Sequence, residues 1–205
     1  MEIFFLETMC ALARSEGNLL TDTDILILTR YGLEPRGYPY TEIQKIQSIR
    51  IALMYLLHPA TPLDFGFKDF EYLHQVLGHS RLEDYHLGKL RSFEYIIPDT
   101  TYIPLTEEVQ LEVQMSLFLE KLKHIENPYE QSFFLLVFLI YLQPFQIINI
   151  ELAKLMALIP LILHSRAPIL WSRVDAVELE FALRAIYELC DVSFLREIYV
   201  KQFQK

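Results

Sequence analysis

Residues 133–163 read FFLLVFLIYLQPFQIINIELAKLMALIPLIL, and the placing of this stretch decides the fold. Phe133 to Leu142 is unbroken apolar sequence, and Ile147 to Leu163 is nearly so. The first run is only ten residues long, about half of what a bilayer requires. Gln143-Pro144 ends it, and Glu151 and Lys154 interrupt the second run. The pair therefore reads as two buried core helices joined by a polar turn, in preference to a membrane hairpin.

Working outward, apolar spacing continues to predict helices. An opening helix is expected over 2–15, broken at Glu16-Gly17-Asn18. In TDTDILILTRYG, Thr21 or Thr23 is a candidate N-cap. Residues 31–40, YGLEPRGYPY, form a loop. A helix over Thr41 to Leu57 follows, with Ile46, Ile49, Leu53 and Leu56 on one face, and a short one over Lys68 to Gly78. Phe93 to Ile97 and Thr101 to Leu105 are β-favouring runs around Pro98-Asp99, which predicts a small hairpin. Further helices are expected at 107–124, 129–142, 149–164, 173–189 and 193–203. The fold class is all-α with one minor β element, in a single domain spanning 1–205.

Composition agrees. The chain is 52% hydrophobic, with 14 Phe and 12 Tyr against 6 Gly, which favours long packed elements over many short strands. It carries 27 acidic and 18 basic residues, net −9, without a basic run to track a phosphate backbone. Nucleic acid is excluded as a partner, while a basic protein is not. Cys10 and Cys190 are too few for a disulfide framework and read as reduced cytoplasmic thiols. The opening MEIFFLETMCALARSEGN begins with Glu2 and is an amphipathic helix, not a signal peptide. None of the six histidines (58, 74, 79, 86, 124, 164) forms a metal-ligand spacing with a cysteine. His74 and His79 read as surface or capping residues, and Trp171 as an anchor holding a loop to the core.

Gln143 to Lys154, QPFQIINIELAK, resembles the HPFxxGNGRxxR motif of the Fic (filamentation induced by cAMP), or Fido, domain family. Pro144, Phe145 and Asn149 match position by position, and Lys154 stands for the last arginine. The flanks are similar too. Asn127-Pro128-Tyr129-Glu130 opens the preceding helix, and YLHQVLGHS followed by LGKLR resembles the family's helix and G-x-x-R element, here Gly88 and Arg91. The hairpin at 93–105 falls where the family has its flap. SEGNLLT (Ser15 to Thr21) resembles the inhibitory-helix signature in Glu16, Gly17 and Asn18, making 1–20 a remnant of that helix.

The resemblance implies a Fic-like helical bundle with motif helices at 129–164. It implies AMP transfer from ATP to a hydroxyl side chain, with a histidine as base, a carboxylate holding Mg²⁺, and backbone N–H groups cradling phosphate. Here each part is altered. Gln143 replaces the histidine, and an amide has no basic lone pair near neutral pH, which forfeits about 10²–10⁴ in rate. Ile147 stands where the metal carboxylate belongs. Ile148 and Ile150 occupy the glycine positions, though β-branched residues resist positive φ. Glu151 replaces an arginine and would repel phosphate.

Asn149 is a candidate N-cap for the following helix. Glu151 then falls in its first turn, where it fills the former anion site. Lys154 is the candidate partner for Glu16. Leu12 stands where the inhibitory helix has a hydroxyl, and Glu16-Gly17-Asn18 reads equally as a plain helix end with a left-handed cap. The expectation is a catalytically inactive relative that binds a protein partner or a second copy of itself, without metal, ATP or membrane. The alternative is a nucleotidyl- or phosphoryl-transferase with a divergent site. The family name refers to cell filamentation, a phenotype that resemblance does not transfer.

Overall fold

The computed structural model describes residues 2–58 and 66–204. Its helices are α1 (Glu2–Ser15), α2 (Asp22–Tyr31), α3 (Tyr40–Leu57), α4 (Phe67–Gly78), α5 (Glu108–Lys123), α6 (Pro128–Leu142), α7 (Asn149–Met156), α8 (Leu158–Leu163), α9 (Ala176–Leu189) and α10 (Ser193–Lys201). Short 3₁₀ turns lie at Asp84–His86 and Trp171–Arg173.

The bundle is organised around α6, which packs against α5, α7, α8 and α9. Asn127 accepts from the Tyr129 N–H and Pro128 occupies the first helical position, so α6 starts where its orphan donors are met. Leu135, Leu136, Leu139 and Ile140 are sealed on its inner side, and almost every residue of α7 and α8 is buried. No helix among the described residues is long and apolar enough to cross a membrane. The two apolar runs are core helices.

The helix expected at 149–164 is two. Pro160 has no N–H to return to the Met156 carbonyl, and the chain breaks at Ala157. The Ser132 hydroxyl donates to the Ala157 carbonyl at 2.6 Å, which ties the break to α6.

The N-terminal half wraps this core. Helix α1 packs on α3 and on the turn holding Trp171, which is buried as expected. Thr21 is the N-cap of α2, in a reciprocal capping box with Asp24. Thr21→Ala is expected to cost about 1 kcal/mol, read as a lowered urea midpoint at unchanged m-value.

The hairpin expected at 93–105 is absent: no strand occurs among the described residues. Pro98-Asp99 does form a turn, with Asp99 at φ +59°. The arms do not pair. They are held individually by side chains, with Tyr102 stacked on Tyr187 and Tyr141, and Thr101 bonded to Glu188. A run of five β-favouring residues has strand character only where a partner backbone completes the ladder.

Candidate functional site

The loop between α6 and α7 is built from residues 143–148. Gln143 ends α6 in the left-handed region (φ +47°), its N–H donating to the Leu139 carbonyl at 3.0 Å. Its side chain is buried. The amide Nε2 donates to the Ile140 carbonyl at 2.8 Å and to the Tyr187 hydroxyl at 2.9 Å, and that hydroxyl donates to the same carbonyl. Phe145 is fully enclosed and stacks on the His74 ring, centroids 4.2 Å apart.

Asn149 does not cap α7. Its side chain turns back to accept from the Phe145 N–H at 2.9 Å and to donate to the Phe145 carbonyl at 2.8 Å, clamping the loop. The residue preceding α7 is Ile148, at φ +71°. A β-branched residue in this conformation stores about 1–3 kcal/mol of strain. Its side chain is buried, with Cδ1 against Gly78, so burial offsets that strain. The backbone conformation of a glycine is kept while methyl groups fill the space above it.

The element at Gly88 and Arg91 meets this loop. Arg91 is 2% exposed. Its N–H donates to the Pro144 carbonyl at 3.0 Å, and its guanidinium to the carbonyls of Gln143 (2.7 Å), Phe93 (3.0 Å) and Leu142 (3.5 Å). The charge also lies over the Tyr95 ring at 5.8 Å. Gly88 has φ +72°, and its N–H donates to His74 Nδ1 at 2.9 Å. A side chain there would collide with Gln75 and the Glu71 carbonyl.

His74 is therefore not a surface residue. It is fully buried between Phe145 and the Gly88 loop, and burial holds its pKa down at about 4. His79 is exposed, just past the end of α4. With an unfolded pKa near 6.5, the unfolded chain binds more protons between those values, so the His74 contribution to stability is lost as pH falls from 6.5 to 4. The stability advantage of wild type over His74→Asn is expected to shrink by about 3 kcal/mol between pH 7 and pH 4 in urea titrations.

Beside the loop lies a charged cluster. Arg81, just beyond α4, grips Glu151 with both terminal guanidinium nitrogens: Nη1 lies 2.7 Å from Oε2, and Nη2 donates to Oε1 at 3.1 Å. Nη1 also lies 3.4 Å from Glu16 Oε2. Glu16 thus pairs with Arg81, not with Lys154. Lys154 instead lies over the Trp171 ring at 5.7 Å. Burial raises the Glu151 pKa to about 7, the neighbouring Glu16 adds to this, and Arg81 opposes it. Burial lowers that of Lys154. Gly17 (φ +65°) and Asn18 end α1, the Asn18 N–H donating to the Ala13 carbonyl at 2.9 Å. No group of three or more His, Cys, Asp or Glu among the described residues is arranged to hold a metal.

The structure thus brings Gln143, Pro144, Phe145, Ile148, Asn149, Glu151, Lys154, Glu16, Gly88 and Arg91 to one place. It adds Arg81, Tyr187 and His74, which sequence reasoning missed. Single Arg, Tyr and His residues on separate elements carry no spacing signal. Only the position of Arg81 just past α4 sets it apart.

Comparison with solved structures decides the fold. A Fic family protein from Desulfovibrio desulfuricans superposes with a TM-score of 0.77 over 97% of this chain, at 18% identity. The chain has the Fic fold. Fic-1 (residues 134–508) from C. elegans gives a TM-score of 0.74 over 98% of the chain at 16% identity. BepC of Bartonella tribocorum, solved with bound AMPPNP, gives 0.62 over 84% of the chain and 89% of its own length, at 11% identity. The chain spans 62% and 60% of the first two structures. No sequence-family profile and no curated protein matches it.

Proposed function

We propose that this Fic-fold chain has lost AMP transfer from ATP and acts in the cytoplasm by binding another protein. One observation carries the reading: the group standing for the catalytic base is an amide sealed in the core. Gln143 spends its donors on Ile140 and Tyr187, so it neither takes a proton nor faces a substrate. The surroundings support this. Ile148 closes the space that a glycine would leave for phosphate, and Glu151 supplies the anion for α7 from within the chain, neutralised by Arg81.

The test is incubation with ATP labelled at the α-phosphate, Mg²⁺ or Mn²⁺, and cell lysate. The expected result is no label on any protein, the chain itself included. Label above the Arg81→Met and Gln143→Ala controls would establish a transferase with a divergent site.

A further inference from the structure

One guanidinium serves two carboxylates at the junction of α1, α4 and α7. Arg81 Nη1 lies 2.7 Å from Glu151 Oε2 and 3.4 Å from Glu16 Oε2, so α7 and the end of α1 compete for a single nitrogen. The Glu151 side chain is sealed in the core, whereas that of Glu16 reaches solvent. Glu151 Oε2 accepts no directed hydrogen bond among the described residues. Lys154, one turn further along α7, touches neither carboxylate and lies over the Trp171 ring. Glu151 therefore keeps its charge only at the expense of the Arg81 contact with Glu16.

Among the described residues, the charges facing Glu151 are Glu16, Arg81 and Lys154. Glu42 of α3 and His74 of α4 lie within range of the Arg81 charge, and Tyr95 within range of Glu16. None of these three titrates near neutrality. Burial holds His74 down at about 4 and lifts Tyr95, while Glu42, against its burial, is held down by Lys45 and the Leu19 N–H. Of the other helices packed on α7, α8 carries no charge and α6 only Glu130, exposed in its first turn. The Glu16 charge opposes ionisation of Glu151. Coupling is reciprocal, so ionising Glu151 must in turn weaken the hold on Glu16.

We infer that Glu16, Arg81 and Glu151 form a proton-operated latch on the end of α1, closed when Glu151 is protonated and eased when it ionises. With Glu151 neutral, the guanidinium charge is left to Glu16. With Glu151 ionised, the shorter contact takes it back and Glu16 faces a second carboxylate. The movement stays local. Gly17 follows Glu16 at φ +65°, and beyond it the Asn18 amide and the Leu19 N–H donate to the Glu42 carbonyl and carboxylate at 3.0 and 3.1 Å. Those bonds keep 18–19 seated on α3 while Glu16 is released. The latch does not depend on whether AMP transfer is lost.

Trp171 reads the latch, being the single tryptophan of the chain and buried in a turn that packs on α1. Its quenching by acrylamide is followed on the full chain from about pH 5.5 to about pH 8.5. Quenching is expected to rise through one step centred at about 7, the value to which burial lifts Glu151. Glu151→Gln should lose the step and stay at the low-pH level. Glu16→Gln should also lose it, but at the high-pH level. Because Glu16 is partly exposed, this second variant answers the question even where Glu151→Gln fails to fold. Lys154→Met should keep the step, which separates the latch from titration of the lysine over the ring. A flat wild-type profile would overturn the inference. So would a step that survives in Glu16→Gln or Glu151→Gln, or one that disappears in Lys154→Met.

Discussion

Replacing Arg81 by methionine is expected to change stability by less than about 1 kcal/mol at pH 6 and to cost about 3 kcal/mol at pH 9. The guanidinium is the cation in contact with Glu151, whose side chain is 1% exposed. Burial already lifts the Glu151 pKa to about 7. A carboxylate raised above its unfolded value stabilises below that value and loses the contribution as pH rises through the folded one. Below pH 7 the orphaned acid therefore stays protonated and the loss of Arg81 is mild. Above pH 7 it must either ionise without a partner or hold its proton against solvent, at about 1.4 kcal/mol per pH unit. The double variant Arg81→Met with Glu151→Gln should be pH-independent over the same range. Glu16→Gln should matter little, because its contact is longer and its side chain is 26% exposed. Urea titrations of the three variants at both pH values decide this. A cost that is equal at pH 6 and pH 9 would show that Arg81 serves something other than Glu151.

Arg91→Met is expected to cost about 3–5 kcal/mol at any pH between 6 and 9. Among the described residues no carboxylate pairs with this guanidinium; it works as a bracket between backbone carbonyls on two segments. Methionine fills much of the volume but leaves the buried carbonyl of Gln143 without its donor, and that of Leu142 with it. Each such group costs about 1–3 kcal/mol. Lysine should not rescue, since one ammonium cannot reach carbonyls that a planar fork spans. Thermal or urea unfolding of Arg91→Met and Arg91→Lys checks both statements. A lysine variant as stable as wild type would refute the bracket.

The contrast between these two arginines shows what the sequence could and could not reveal. Gly88 and Arg91 were legible because they sit three residues apart in a recognisable element. Arg81 was not, because its partners come from α1 and α7, far away in the chain. The α6–α7 loop was legible from the hydrophobic runs on either side, whose length and interruption fall short of a membrane-spanning helix. Its internal bonding was not foreseen. Asn149 has the chemistry of an N-cap, yet the tight loop gives its amide both groups of Phe145, a better-satisfied choice. Ile148 shows the opposite limit: local preference forbids its backbone conformation, and tertiary burial overrides it. The hairpin was lost because β-propensity describes a surface waiting for a partner, and side chains reached the 93–105 segment first.

The most direct test is calorimetric titration of Mg²⁺–ATP into the full chain at pH 8, where Glu151 is largely ionised. An α6–α7 loop filled by Ile148 and neutralised internally by the Arg81–Glu151 pair is expected to give no heat beyond dilution up to millimolar nucleotide. Saturable binding in the micromolar range, weakened by Arg81→Met, would show that the phosphate site is still open and would contradict the account.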